Sequence, residues 1–248
     1  MYTNRIAVVT GGTGGIGTAI SQDLSKAGFQ VIACYYKGGD HDAAKAWQQK
    51  QKDQGYNIDI AYADISNYED CEALKAKVIN TYGRIDVLVN NAGITNDSTF
   101  KKMTPEQWHT VLDANLTSVF NMTRNFLQPM LDAGYGRIIT ISSINGRKGQ
   151  FGQCNYAATK SALYGFSKSL AQEVASKGIT VNVISPGYIK TEMVAKMKPE
   201  TLDYITTQIP VGRLGEVGEV ARMVTFLADD KSGFITGSNF DLNGGQYM

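Results

Sequence analysis

The stretch "TGGTGGIG", residues 10–17, decides the fold. It follows a short β-branched run, "RIAVVT", and leads into a segment with helical periodicity over 16–27 that Gly28 stops. Glycines let the chain turn sharply and let a ligand approach the backbone closely. The first N–H groups of the new helix have no intrahelical partner, and the helix dipole adds partial positive charge there. Strand, glycine turn and helix in that order form a cradle for a pyrophosphate. The spacing is Gly11, Gly15, Gly17, which is GxxxGxG rather than GxGxxG. Thr13, Gly14 and Ile16 complete the loop.

Outward from this loop the chain alternates. Apolar runs recur as "QVIACYY", "IDIAYAD", "DVLVNNAG", "GRIITISS", "TVNVISPG" and "SNFDLNGG". Most are continuous rather than alternating, the pattern of strands covered on both faces. Between them the periodicity predicts helices over 16–27, 67–82, 106–133 and 155–177; Asn67 caps the second, and Gly83 and Gly178 stop the second and fourth. Repetition of this kind predicts a doubly wound α/β fold: a parallel seven-stranded sheet with helices on both faces, joined by right-handed crossovers. No linker, low-complexity tract or repeat divides the 248 residues, so one domain over 1–248 is expected. Residues 188–214 break the rhythm with Pro199, Pro210 and the charged stretch "KTEMVAKMKPE", and are read as an excursion over the sheet edge that serves as a lid.

Composition excludes several functions. The net charge of +1, without a basic run, argues against nucleic acid and against an anionic membrane as partner. Cys34, Cys71 and Cys154 are widely spaced and odd in number, and His41 and His109 have no partners at ligand spacing, so neither a disulfide framework nor a metal site is expected. No stretch approaches 18 apolar residues, and the N-terminus lacks a signal-peptide core; a cytoplasmic location is the expectation.

The second strand ends in "CYYK", residues 34–37. A fold of this type that prefers NAD places a carboxylate there for the ribose 2′-hydroxyl. None occurs until Asp40. Tyr35 and Tyr36 are placed to flank an adenosine, and Lys37 either meets a 2′-phosphate or is a solvated loop charge. The balance favours NADP(H). Asp64, with Ile65 beside it, lies where an adenine edge would be met. "NNAG", with Asn91, Ala92 and Gly93, forms a second polar loop at the carboxyl ends of the strands.

Tyr156 and Lys160 are four residues apart, which on a helix puts them on one face. A free tyrosine titrates near 10, so holding it near 7 takes roughly 4 kcal/mol of preferential stabilisation of the anion. A lysine cation one turn away is expected to supply part of that. A tuned tyrosine protonates a carbonyl oxygen as hydride arrives, or removes an alcohol proton in reverse. Ser143, at the end of "ITISS", is placed to share the same oxygen, with Ser142 as the competing choice.

The Ser–(12 residues)–Tyr–x–x–x–Lys spacing of Ser143, Tyr156 and Lys160 resembles the short-chain dehydrogenase/reductase family. So do "TGGTGGIG", "NNAG", "SPGYIKTEM" and "ITGSNFDLNGG", so that the likeness covers essentially the whole chain. The resemblance implies a proton-relay position for Asn115, contacts of Pro186, Gly187 and the Ile189 backbone with the nicotinamide, and of Thr191 with its carboxamide or the nearby phosphate. "GRKGQFGQCNYAATK" and "ISPGYIKTEM" are similar to the acetoacetyl-CoA reductase branch, which serves polyhydroxybutyrate synthesis and is related to the 3-oxoacyl-[acyl-carrier-protein] reductases of fatty-acid synthesis. This implies NADPH-dependent reduction of a 3-ketoacyl thioester to the (3R)-hydroxyacyl product, with Gln150, Phe151, Gln153 and Tyr188, and less strongly Asp97, against the substrate beside Ser143, Tyr156 and Gly187. The carrier-protein reductase is the runner-up and a sugar or other alcohol dehydrogenase more distant; a sensor or scaffold that keeps the cofactor but not the chemistry has no need for Ser–Tyr–Lys at this spacing. Arg147, Lys148, Lys101, Lys102, Lys190 and Lys196 either attract a coenzyme A or carrier-protein phosphate or form a solvated rim. The resemblance implies a homotetramer.

Overall fold

A computed structural model describes residues 5–248; the side chains of Lys37 and Met193 lie outside the described set, and so therefore does the expected Lys37 contact. Seven strands form one parallel sheet: β1 (Ile6–Val9), β2 (Gln30–Tyr35), β3 (Ile58–Tyr62), β4 (Val87–Asn90), β5 (Gly136–Ile141), β6 (Ile179–Pro186) and β7 (Asn239–Leu242). Their spatial order is β3-β2-β1-β4-β5-β6-β7, all in parallel register. The order reverses between β1 and β4. Their following loops therefore part to opposite faces and leave a crevice at the carboxyl ends of the strands.

Strand residues alternate between two cores. Val8, Ile32, Leu88 and Ile138 face one side, under α3 (Tyr68–Tyr82), α5 (Ser118–Ala133) and α7 (Cys154–Val174). Val9, Val31, Val89 and Ile139 face the other, under α1 (Gly15–Ala27) and α10 (Val217–Ala228). Both faces are apolar because both are covered, which is why the strands read as unbroken runs.

The helices differ from the sequence expectation in three places. The segment 106–133 is not one helix: α4 (Pro105–Leu112) and α5 are separated by a π-turn, Asp113–Thr117, that contains Asn115. Only α4's start was marked by composition, with a Thr104–Gln107 capping box and Pro105 at the first turn. The helices α2 (His41–Asp53) and α10 were not anticipated. In α2 only Ala44 and Gln51 are buried, too narrow a stripe for the periodicity to register. In α10 the N-cap is Glu216, outside the usual Ser/Thr/Asp/Asn set, and Glu219 Oε2 accepts from its N–H at 2.8 Å. The excursion after β6 is not structureless either. It holds α8 (Glu192–Ala195) and α9 (Pro199–Thr207), and an Ile189–Gly215 bridge closes its neck.

Candidate active site

The glycine loop between β1 and α1 is shaped by contact. Gly11 has φ +60°, and a Cβ on Gly17 would stand 2.0 Å from the Gly11 carbonyl oxygen. Neither position admits another side chain without a shift of the loop. Gly14 caps α1 and offers no side chain to its first N–H groups, which leaves them for an anion. Asn91 secures the loop from β4: its Nδ2 donates to the Thr10 carbonyl (2.9 Å), while Thr10 Oγ1 accepts from the Asn91 and Ala92 N–H groups (2.9 and 3.1 Å). The Asn91 side chain thus builds the cradle. Thr191 stands against the same loop, its methyl 3.4 Å from the place of a Cβ on Gly15, while its hydroxyl caps α8.

At the far end of the crevice Tyr36 is half exposed and tilts against Tyr62 with ring centroids 6.1 Å apart. Tyr35 is buried, its hydroxyl 2.8 Å from His41 Nδ1, so only Tyr36 of the two presents its face. Asp64 Oδ1 accepts from the Ser66 N–H and hydroxyl (3.0 and 2.6 Å), and the Ile65 carbonyl accepts from Asn121 Nδ2 (3.1 Å). These bonds fix the turn and leave Asp64 Oδ2 uncommitted to Ser66. An uncapped helix start, a loop too tight for side chains, an open aromatic face and no acid at the end of β2 fit a dinucleotide.

The reactive groups meet where α7 passes the end of β5. Lys160 is buried, with Nζ 2.9 Å from the Ile141 carbonyl oxygen and 5.6 Å from the Tyr156 ring centroid. The Ser143 side chain lies beside the Tyr156 phenol, near enough to oppose the rise in its pKa. A Cβ on Gly93 would stand 3.1 Å from Asn115 Oδ1 and 3.3 Å from Lys160 Nζ, so Gly93, Asn115 and Lys160 converge. Asn115 Oδ1 accepts from the Ile94 N–H (2.8 Å) and its Nδ2 donates to the Ile94 carbonyl (2.9 Å), tying the π-turn to the loop after β4. Ser142 turns inward instead: its hydroxyl donates to the Lys160 carbonyl at 2.8 Å and meets Tyr164 at 3.0 Å.

The electrostatics depart from the expected lysine-tuned phenol. Burial raises the Tyr156 pKa; the Ser143 hydrogen bond opposes that, and the charges of Asp97 and Tyr164 add to it. Lys160 is pushed down to about 8, also by burial. Burial disfavours both charged forms.

On the substrate side Tyr188 is half buried, Gln150 is exposed and Phe151 is 86% exposed. Gln153 is half buried: its Nε2 donates to the exposed Asp97 Oδ2 (2.8 Å) and its Oε1 accepts from Asn145 Nδ2 (2.9 Å). Gly187 is packed rather than open, since a Cβ there would lie 2.9 Å from Asn243 Cα. The Pro186 carbonyl accepts from the Ile144 N–H (2.8 Å), and the Ile189 side chain is buried in the core. Of the six basic residues, Arg147 pairs with Asp241 at 3.4 Å and Lys190 pairs with Glu216; Lys101, Lys102, Lys148 and Lys196 are exposed.

Three residues went unread in the sequence. Asn155, fully buried, donates through Nδ2 to the Asn96 and Gln107 carbonyls (3.0 and 3.3 Å) and accepts the Tyr156 N–H (2.8 Å). Tyr164 joins Ser142 to the Ser143 carbonyl and to Ser185 Oγ (3.2 and 3.0 Å). Asn145 holds both Gln153 and Ser143. Tyr164 could have been found from its place one turn beyond Lys160 on the same helix face. The asparagines carried no such signal.

Residues 5–202 match the family model for short chain dehydrogenases. The chain belongs to the short-chain dehydrogenase/reductase family. Members of this family are oxidoreductases that use nicotinamide cofactors, so the protein is an oxidoreductase. This short-chain dehydrogenase/reductase is 54% identical over 246 residues to an acetoacetyl-CoA reductase of Shinella zoogloeoides, with 99% of each chain covered. It is 49% identical over 247 residues to an acetoacetyl-CoA reductase of Cupriavidus necator, again with 99% of each chain covered. To a 3-oxoacyl-[acyl-carrier-protein] reductase of Haemophilus influenzae it is 42% identical over 244 residues, with 98% of each chain covered.

Proposed function

We propose that this reductase uses NADPH to convert a 3-ketoacyl thioester, acetoacetyl-CoA, to (3R)-3-hydroxybutyryl-CoA. The observation that carries the chemistry is the meeting of Ser143, the half-buried Tyr156 and the buried Lys160 past the end of β5, with Lys160 Nζ 5.6 Å from the Tyr156 ring centroid. The two acetoacetyl-CoA reductases at about half identity support the substrate.

In this reading the substrate's 3-keto oxygen sits between the Ser143 and Tyr156 hydroxyls. Ser143 donates a hydrogen bond that holds the oxygen as negative charge grows on it. Tyr156 gives it a proton as general acid. A phenol whose pKa is raised by burial is fully protonated at neutral pH, the form that the reductive direction needs. Lys160 stands beside it to return a proton to the phenolate, with Gly93 next to both Lys160 Nζ and Asn115 Oδ1. The nicotinamide cofactor supplies the hydride. Gly11, Thr13, Gly14, Gly15, Ile16 and Gly17 hold its pyrophosphate, Tyr36 its adenine, and Lys37, by position, its 2′-phosphate. Residues 188–214 form the lid, hinged at the Ile189–Gly215 bridge, of a single domain over 1–248. A homotetramer would cover exposed Phe226 and Phe234. A cytoplasmic location completes the reading.

The carrier-protein reductase stands as a second reading because of the Haemophilus relative and the exposed Lys101, Lys102 and Lys148. Steady-state oxidation of NADPH and NADH with acetoacetyl-CoA, run beside an acetoacetyl-carrier protein, separates the two. Faster turnover of NADPH with the coenzyme A ester is expected. A higher kcat/KM for the carrier protein would move the enzyme to fatty-acid synthesis.

A further inference from the structure

Tyr164 lies one helical turn beyond Lys160 on α7, half buried, and its hydroxyl meets partners from two strand ends. It stands 3.2 Å from the carbonyl oxygen of Ser143 itself, 3.0 Å from Ser142 Oγ and 3.0 Å from Ser185 Oγ on β6. Ser142 in turn donates to the carbonyl oxygen of Lys160 itself at 2.8 Å. We propose that Tyr164 is a positioning residue for the reduction: its hydroxyl ties the peptides that carry Ser143 and Lys160 to each other and to the end of β6, and so fixes how the two reactive side chains are set apart. This rests on the reading of Ser143, Tyr156 and Lys160 given above.

Asp241 sets the direction of the protons in this cluster. An ionised carboxylate only accepts, so Asn239 presents its amide nitrogen to Asp241 Oδ1 (3.0 Å) and keeps its own Oδ1 for the Ser185 hydroxyl (2.6 Å). Ser185 has thereby used its one proton and can only accept from Tyr164. The Tyr164 proton is therefore directed at Ser185 Oγ and the Ser143 carbonyl. Its oxygen is left to accept from Ser142, which shares its proton with the Lys160 carbonyl. The Ser143 carbonyl takes a second bond from the Gly146 N–H (3.0 Å) in α6 (Asn145–Lys148), so it is held along two directions. Arg147 closes the ring: it pairs with Asp241 at 3.4 Å and lies 5.5 Å over the Tyr164 ring. The phenol is thus fixed at its hydroxyl and at its face. Ser142 and Ser185 are buried, where a lost partner leaves a polar group unpaired. The Ser142 and Ile144 N–H groups bind the Ile184 and Pro186 carbonyls (2.7 and 2.8 Å), which joins the end of β5 to β6; the Tyr164–Ser142 link adds the hold on α7, at Lys160.

The test compares wild type with Tyr164→Phe, Ser142→Ala, their double variant, Ser185→Ala and Tyr156→Phe in NADPH-dependent reduction of acetoacetyl-CoA. Tyr82→Phe is the matched loss of a phenol hydroxyl elsewhere, since Tyr82 donates to Asp59 Oδ2 at 2.5 Å on the edge strand β3. Tyr164→Phe is expected to lose about tenfold in kcat with both KM values within about twofold, because misplacing a reactive group costs turnover rather than binding. Ser185→Ala keeps the phenol and removes only its acceptor; it should lose about threefold in kcat, and it carries the test if Tyr164→Phe does not fold. The double variant should lose less than the product of the single losses, because both break one link. Tyr82→Phe should lower the urea midpoint and leave kcat at the wild-type value. Wild-type kcat in Tyr164→Phe (or in Ser185→Ala where that variant carries the test), a raised KM with kcat unchanged, or fully multiplicative losses would overturn the proposal while Tyr156→Phe stayed defective. Wild-type turnover in Tyr156→Phe, or none in wild type, would overturn the functional reading itself, and the proposal with it.

Discussion

At the nucleotide end of the crevice the chain is held by its own backbone. Gly11 and Gly17 are in contact, Thr10 and Asn91 bond peptide groups, and the helix start is left open. At the substrate end it is held by side chains that meet from distant segments: Asp97 with Gln153, Gln153 with Asn145, Lys190 with Glu216, Arg213 with Glu219. In the proposed reading the first end holds a cofactor common to many enzymes and needs only backbone donors in a fixed curve. In that reading the second must choose one ketone, and choice is made by side chains.

This difference explains what the sequence reveals. Backbone architecture demands particular residue types at short spacing, so the glycine loop, the buried strands and the Tyr156–Lys160 turn are legible from local pattern. The π-turn at Asn115 was invisible because its cause lies at Ile94, 21 residues earlier in sequence. The hydrogen bonds of Gln153 to Asp97 and Asn145 are also absent from local pattern, because tertiary structure alone brings those partners to it. The phenol's raised pKa likewise depends on burial, which spacing cannot report.

Substitutions on the two sides should therefore fail differently. Gly17→Ala should have the largest effect, since a Cβ 2.0 Å from a carbonyl oxygen cannot be accommodated by rotation. It should destabilise the chain by about 3 kcal/mol or more and abolish NADPH binding, read by urea unfolding and cofactor fluorescence. Normal binding would mean that the cradle is looser than its contacts imply. Gly146→Ala places a Cβ 2.8 Å from the Lys160 carbonyl carbon and Cβ, between α6 and α7. About 1–3 kcal/mol of stability should be lost, with NADPH affinity kept, which would sharpen the separation of the two ends.

Lys160 makes a pH-dependent contribution. Its pKa falls from 10.5 to about 8 on folding. Below pH 8 the lysine is charged in both states and its burial cost is fully present. Between about 8 and 10.5 the unfolded chain binds the extra proton, so this group's contribution to stability rises with pH. Above that range both states are neutral and the cost is gone. Lys160→Met should remove that rise, so its stability advantage over wild type shrinks as pH increases; an advantage independent of pH would contradict the buried-ammonium assignment. The smallest effect should come from Glu219→Gln at the neck of the excursion. Glu219 sits near a pKa of about 2 because Arg213 and the Glu216 N–H bond its carboxylate. Its stabilisation is present above the ordinary carboxylate range and lost as pH falls toward 2. The Arg213 pair is solvent-screened and contributes little, so the variant should unfold at slightly lower urea with turnover nearly unchanged.

The most direct test of Tyr156 as the general acid is acetoacetyl-CoA reduction by Tyr156→Phe beside wild type, with NADPH affinity measured on both. Affinity should be retained while kcat falls by about 10³-fold, within the range that loss of a positioned proton donor produces. Turnover within tenfold of wild type, with the cofactor still bound, would show that another group delivers the proton.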